Sequence, residues 1–222
     1  MHMKFKTLLA PIALASFLAV SGGAQATVTV YTSQAAYLAA ITHAGVDSFD
    51  DLDYTTPLST PQARTAGSHS YTASVGPTSN FFPATDDGVD VWLATNNRRD
   101  TVTFSGFSAG VQAVGGFFFG SDISGNSTSA TALTLQVTDA SGSISQQLLN
   151  PNTGSFLGFV STGGLSSLKL WVGSQGTGEA GVWPTINDLT LGSVAAVPEP
   201  QTYALMLGGL GLVGWMARRR KA

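Results

Sequence analysis

The sequence predicts a mainly β fold, an antiparallel two-sheet β-sandwich of jelly-roll type with one short N-terminal helix. Short apolar or alternating runs recur at residues 89–94, 101–107, 111–119, 132–138, 143–149, 156–161, 167–172 and 185–191, separated by turn-forming Gly, Ser, Asn and Asp. LTLQVTD and ISQQLL flank Asp139-Ala140-Ser141-Gly142, a hairpin in which Gly142 can take positive φ. Helical signal is confined to one segment near the start of this region. Eight or nine short strands at such spacing favour a sandwich. A parallel β-solenoid is the runner-up, but no fixed-length period runs through the chain.

In order, residues 27–31 (TVTVY) alternate as a first strand. Thr32 or Ser33 can cap a helix running to Ile41, with Ala35, Ala36, Leu38, Ala39 and Ala40 supplying helix propensity. Residues 48–52, around Phe49, read as a strand entering an Asp-rich turn. Residues 55–67, with Pro57 and Pro61, read as loop.

Both ends carry signals. Lys4 and Lys6 precede an uncharged apolar run over 7–20, and small residues follow, ending Ala24-Gln25-Ala26. That order predicts a secretory signal peptide over 1–26, cleaved after Ala26 by signal peptidase once the general secretion machinery has engaged it. A retained anchor helix fits less well, because the apolar run is short and holds Pro11. With no cysteine, a lipoprotein anchor, disulfides, thiolate metal sites and a cysteine nucleophile are excluded.

At the other end, Pro198-Glu199-Pro200 precedes an uncharged stretch over 202–217, read as a transmembrane helix, and a basic tail of Arg218, Arg219, Arg220 and Lys221. Sixteen helical residues reach roughly 24 Å, short of a ~30 Å hydrocarbon core, so the cations must snorkel to the cytoplasmic head groups. Each proline fixes φ and biases its predecessor toward extended backbone, which presents Glu199 on a stiff tripeptide that a protease can engage. An ordinary tail anchor needs no such tripeptide. This order of parts, over 194–222, closely resembles the PEP-CTERM sorting signal of Gram-negative bacteria. The resemblance implies processing by exosortase, a membrane-embedded cysteine protease, in an organism that makes exopolysaccharide. It also implies transient residence in the inner membrane, then delivery to the cell surface or extracellular matrix. FDDL, AVGGFFFG, SFLGFVS and WPTINDLTLG loosely resemble the ectodomains that accompany this signal; that likeness implies the sandwich and carries no active site.

The region between the signals, 27–193, is expected to be the sandwich ectodomain. Up to Val197 it holds twelve acids against four bases (Arg64, Arg98, Arg99 and Lys169), the wrong sign for a nucleic-acid or anionic-polymer binder. Asp47, Asp50, Asp51 and Asp53 form one acidic group and Asp86, Asp87 and Asp90 another. Facing pairs of such carboxylates could hydrolyse glycosides, with Glu179 as a candidate partner, but Asp beside Gly and Pro is more often a turn residue. The second group has the acidity for a structural calcium, joined to Asp188, without EF-hand spacing. A serine hydrolase would need His43 or His69, both expected at the surface, and no G-x-S-x-G elbow exists. Two histidines without thiols make a poor zinc site. GSQGTG over 173–178 matches a dinucleotide fingerprint only superficially, since no helix follows. Sugar sites use exposed aromatics, and of Trp92, Trp171, Trp183, Tyr54 and Tyr71 the best placed is Trp183, between a glycine-rich loop and Pro184. Trp92 and Trp171 are expected in the core.

The expected whole is a non-enzymatic exported surface protein, structural or glycan-interacting, without a cofactor and in contact with exopolysaccharide. The alternative is a secreted polysaccharide hydrolase or lyase using an aspartate pair.

Overall fold

A computed structural model describes residues 26–76, 80–173, 175, 181–195 and 200–219. Two antiparallel sheets share one core. Their strands, in chain order, are β1 (Val28–Tyr31), β2 (Thr42–Asp47), β3 (Gln62–Ala66), β4 (His69–Gly76), β5 (Phe81–Ala84), β6 (Trp92–Thr95), β7 (Thr101–Ser105), β8 (Ala113–Ser121), β9 (Ser127–Thr128), β10 (Ala132–Asp139), β11 (Gly142–Leu149), β12 (Phe156–Ser161), β13 (Leu165–Val172) and β14 (Trp183–Ser193). The first sheet runs β1-β12-β8-β14-β6-β5, with β2 also on β14 and β9 on β8; the second runs β11-β10-β13-β7-β4-β3. Phe118, Ile186 and Leu191 from the first sheet meet Phe104, Leu133 and Leu168 from the second in a single buried cluster. The sandwich expectation therefore holds for the two-layer architecture. Its strands outnumber the expected eight or nine and exceed the eight of a jelly roll.

The two sheets are buried differently, and the sequence pattern of each follows. β10 alternates, with Leu133, Leu135, Val137 and Asp139 inside and Ala132, Thr134, Gln136 and Thr138 outside, as befits a sheet covered on one face. By contrast, all of β12 and nearly all of β8 are buried, which is why AVGGFFFGS and FLGFVS read as continuous runs. Their outer face is covered by α1 (Gln34–Ala40), whose N-cap Ser33 accepts a hydrogen bond from the Ala36 amide. From α1, Tyr37 inserts against Phe156 and donates its hydroxyl to the Thr190 carbonyl at 3.0 Å. Burial pushes the Tyr37 phenol far above its ordinary pKa, so it remains a donor. At the other end of the same face, Trp92 packs edge-on against Phe119 and donates to the Gly125 carbonyl.

Several local expectations are corrected. Residues 48–52 are not a strand. The strand is β2, just before them, and at its end Phe49 turns at φ 65° to bury its ring while Asp47 accepts the Phe49 amide. THAGVD lacks the β-branched alternation that marks a strand; its pairing with β14 forms it. The expected loop over 55–67 contains β3, joined to β4 by a tight turn at Gly67, φ 58°. β5 holds Pro83 and lies at a sheet edge, where a missing donor is tolerated. The hairpin across Ala140-Ser141 forms as expected, with Gly142 at φ 132°.

Beyond the sandwich, α2 spans Pro200–Arg219. No helix among the described residues is long and apolar enough to cross a membrane. The transmembrane helix expected over 202–217 is therefore not confirmed; its uncharged stretch is sixteen residues, bounded by Pro200 and Gln201 before it and Arg218 after it.

Gly158 of β12 lies directly beneath the Tyr37 ring, and an added Cβ would come within 2.5 Å of it. Gly158→Ala is expected to lower stability by about 1–3 kcal/mol through overpacking. Urea unfolding of the two proteins measures the difference.

Candidate functional site

The most developed polar cluster lies at the end of β2. Arg64, on β3, donates to both oxygens of Asp47 at 2.6 and 2.7 Å and also to Asp51 at 2.6 Å. Tyr71, on β4, donates its hydroxyl to Asp47 at 2.6 Å, and the Arg64 guanidinium lies 5.2 Å from the Phe49 ring centre. Adjacent β-strands position these groups, since Arg64 and Tyr71 are directly paired in register. Burial alone would depress the Arg64 pKa; its bonds to Asp47 and Asp51 outweigh that and raise it. Burial, then the Asp47 charge, pushes the Tyr71 phenol upward. The hydrogen bond from Arg64 holds Asp51 below its ordinary value. Asp51 is therefore ionised at neutral pH and carries no proton to donate, the opposite of what a glycosidase acid requires. An open cleft of about 630 Å³ borders the cluster.

The other acidic candidates tie loops. Asp50 accepts the Val91 amide, Asp86 accepts the Ser127 amide and hydroxyl, and Asp90 accepts from the Asn187 side chain. Asp53 and Asp87 sit in turns, their pKa values lowered first by the Thr55 hydroxyl and the Asp90 amide respectively. Asp188 occupies a β-bulge of β14 with φ 52°, at the point where the partner strand changes from β6 to β2. Burial, then the charges of Asp90 and Asp50, raises its pKa. Even so, among the described residues no group of three or more His, Asp or Glu is arranged to hold a metal ion. One Asp87 oxygen accepts the amides of Val89 and Asp90.

His69 is buried rather than at the surface, its Nε2 at 2.8 Å from the His43 carbonyl, while His43 is exposed. Trp183 is half-buried, with the Arg98 guanidinium 6.0 Å from its ring centre. Trp92 is in the core as expected, but Trp171 is half-buried on the outer face of the second sheet. Strict alternation from the buried Leu168 and Leu170 could have placed Trp171 outside together with Lys169. Of the sorting residues, Pro200 opens α2, and Arg218 and Arg219 sit exposed in its last turn. Pro198, Glu199, Arg220, Lys221 and Ala24 lie outside the described residues, as does Glu179. Ala26 is half-buried, and the following Thr27 amide donates to the Thr162 hydroxyl at 3.0 Å.

Compared with known protein families, residues 196–221 match the PEP-CTERM protein-sorting motif. No curated protein and no solved structure matches the chain significantly. The chain carries a PEP-CTERM sorting motif.

Asp47→Ala removes both of its bonds to Arg64, which keeps only the exposed Asp51, and leaves the Tyr71 hydroxyl without its acceptor, and is expected to cost about 3–5 kcal/mol. Asp51→Ala, at a side chain 71% exposed, is expected to cost under about 1 kcal/mol. Chemical denaturation of both variants tests the contrast. Because the folded-state pKa of Asp188 is raised, its ionisation destabilises the fold as pH rises through that value, and protonation restores stability below the unfolded value. Asn tolerates the same positive φ. Asp188→Asn is therefore expected to raise Tm at pH 7, with the gain vanishing near pH 3. A gain independent of pH would refute the charge explanation.

Proposed function

We propose that this chain is an exported surface protein delivered through exosortase, whose ectodomain acts by contact with the extracellular polysaccharide and not by catalysis. The match of residues 196–221 to the PEP-CTERM protein-sorting motif carries the reading. That motif implies export and membrane-associated sorting by exosortase. In this reading, the N-terminal 26 residues direct entry into the secretion machinery. α2 then holds the chain at the inner membrane, with Met206, Leu207, Leu210, Leu212, Val213 and Met216 exposed toward lipid and Arg218 and Arg219 among the cytoplasmic head groups. Cleavage near Pro198-Glu199-Pro200 releases the sandwich toward the cell surface or matrix.

The non-enzymatic part is supported by what the acids do. Asp47 and Asp51 clamp Arg64, and Asp50, Asp86 and Asp90 hold loops together. None of these contacts poises a carboxylic acid beside a nucleophile or a general base.

Intact mass of the protein recovered from the surface or medium of its native cells is expected to lack residues 1–26 and everything beyond the Pro-Glu-Pro site. Glu199→Ala is expected to leave the tail in place and the protein in the membrane fraction. Wild-type protein that retains its basic tail in cells with active exosortase would overturn the proposal.

A further inference from the structure

The outer face of the second sheet is a lattice of small polar side chains. In one cross-strand row, Ser74, Thr103, Lys169, Gln136 and Ser145 stand opposite one another on β4, β7, β13, β10 and β11. In a parallel row, Thr72, Ser105, Ser167, Thr138 and Ser143 do the same. On the other side of the first row, Gly76 faces Thr101, and Trp171 faces Thr134, which faces Gln147. Strands about 4.8 Å apart and rows about 6.8 Å apart make this a flat grid of hydroxyls and amides with a single aromatic ring.

The face is also hollowed around that ring. A shallow groove of about 530 Å³ runs from Ser74 and Gly76 past Thr103 to Lys169 and Trp171. A second depression of about 370 Å³, bordered by Arg99 and Gln175, meets it at Trp171. At Gly76 an added Cβ would meet nothing within 4 Å, so the floor there is open. Among the described residues no Asp or Glu lines either depression, and two of the ectodomain's four cations, Lys169 and Arg99, border them.

We propose that this groove is a polysaccharide-binding site: Trp171 stacks against the apolar face of a sugar ring, Thr101, Thr103 and Gln136 bond its hydroxyls, and Lys169 pairs with a carboxylate on the chain. The proposal rests on the reading of the protein as a surface protein meeting extracellular polysaccharide, and it names the site and the ligand class. Ser and Thr hydroxyls both donate and accept, as sugar hydroxyls do, so the grid can match a polyol in more than one register. The indole supplies flat apolar area with little entropy to lose, because its rim is already half-buried. The domain's net negative charge opposes any long polyanion, nucleic acid above all, so a uronate chain is held here by the stacking ring and the local cations Lys169 and Arg99 and not by the field of the whole domain. A bound peptide would need deep side-chain pockets or a free strand edge, and this site lies across the middle strands of the sheet. The uronate preference follows from Lys169, which is exposed, with no Asp or Glu among the described residues that line the groove.

The test is affinity electrophoresis of the full chain, purified in detergent, through gels containing alginate as a polyuronate or dextran as a neutral control. Alginate is expected to retard the wild-type protein more than dextran does, with retardation weakening as salt rises. Trp171→Ala is expected to lose affinity at least tenfold with an unchanged Tm, Trp171→Phe to recover most of it, and Lys169→Gln to abolish the alginate preference. Equal retardation of Trp171→Ala and wild type, equal retardation in the two gels, or none in either would overturn the proposal. Since purified protein is used, failure here leaves the intact-mass result standing, and a retained basic tail leaves the gel result standing.

Discussion

β14 pairs with β8 along one edge and, along the other, first with β6 and then with β2. One strand of 11 residues at the end of the ectodomain thus joins segments from its beginning and its middle. This arrangement needs a change of partner half-way, and the bulge after Asn187 supplies it by bending the strand and letting Asp188 take a left-handed conformation. The loops leaving β2 and entering β6 meet at that bulge, which is why Asp50 and Asp90 lie near enough to Asp188 to raise its pKa. The acidic cluster is a product of strand topology. It also makes the fold depend on contacts distant in sequence, so the first sheet cannot close until β14 is available.

Around that strand the two sheets take different roles. The first is buried on both sides, by the shared core within and by α1, Tyr37 and the Trp92–Phe119 pair without. Burial of this kind excludes water from the backbone ladder and makes the sheet a rigid support. The second sheet has one buried face, and its opposite face carries Ser, Thr, Gln, Lys169 and Trp171.

Two of the buried acids, Asp47 and Asp139, are tied into the fold by their partners. Asp47, nearly inaccessible, is satisfied by an arginine fork, a tyrosine hydroxyl and a backbone amide. Asp139 likewise accepts from Ser161, tying β10 in one sheet to β12 in the other. Among the described residues no buried side-chain nitrogen or oxygen lacks a partner. Buried charge that is fully bonded specifies one arrangement of strands, whereas a catalytic carboxyl is poised by partial satisfaction.

Taken alone, the sequence determined the features that are local in the chain. The PEP-CTERM motif is a contiguous pattern over 196–221, and the β10–β11 hairpin is set by Gly142 and the alternation on either side of it. The class of fold was legible too, since period-two runs between turn residues leave few alternatives to sheets. Tertiary structure decided everything that depends on which segment covers which face. β2 and β3 carry weak strand signals and exist because β14 and β4 pair with them. Phe49 left its expected strand to fill the core, and His69 was buried by packing across from His43. Trp171 and Trp92 look alike in the chain, each in an apolar run. Alternation sets Trp171 with Lys169 on the face opposite Leu168 and Leu170, but only the assembled sandwich leaves that face open and covers Trp92 with the Gly125 loop, because the cover on each face comes from residues far away.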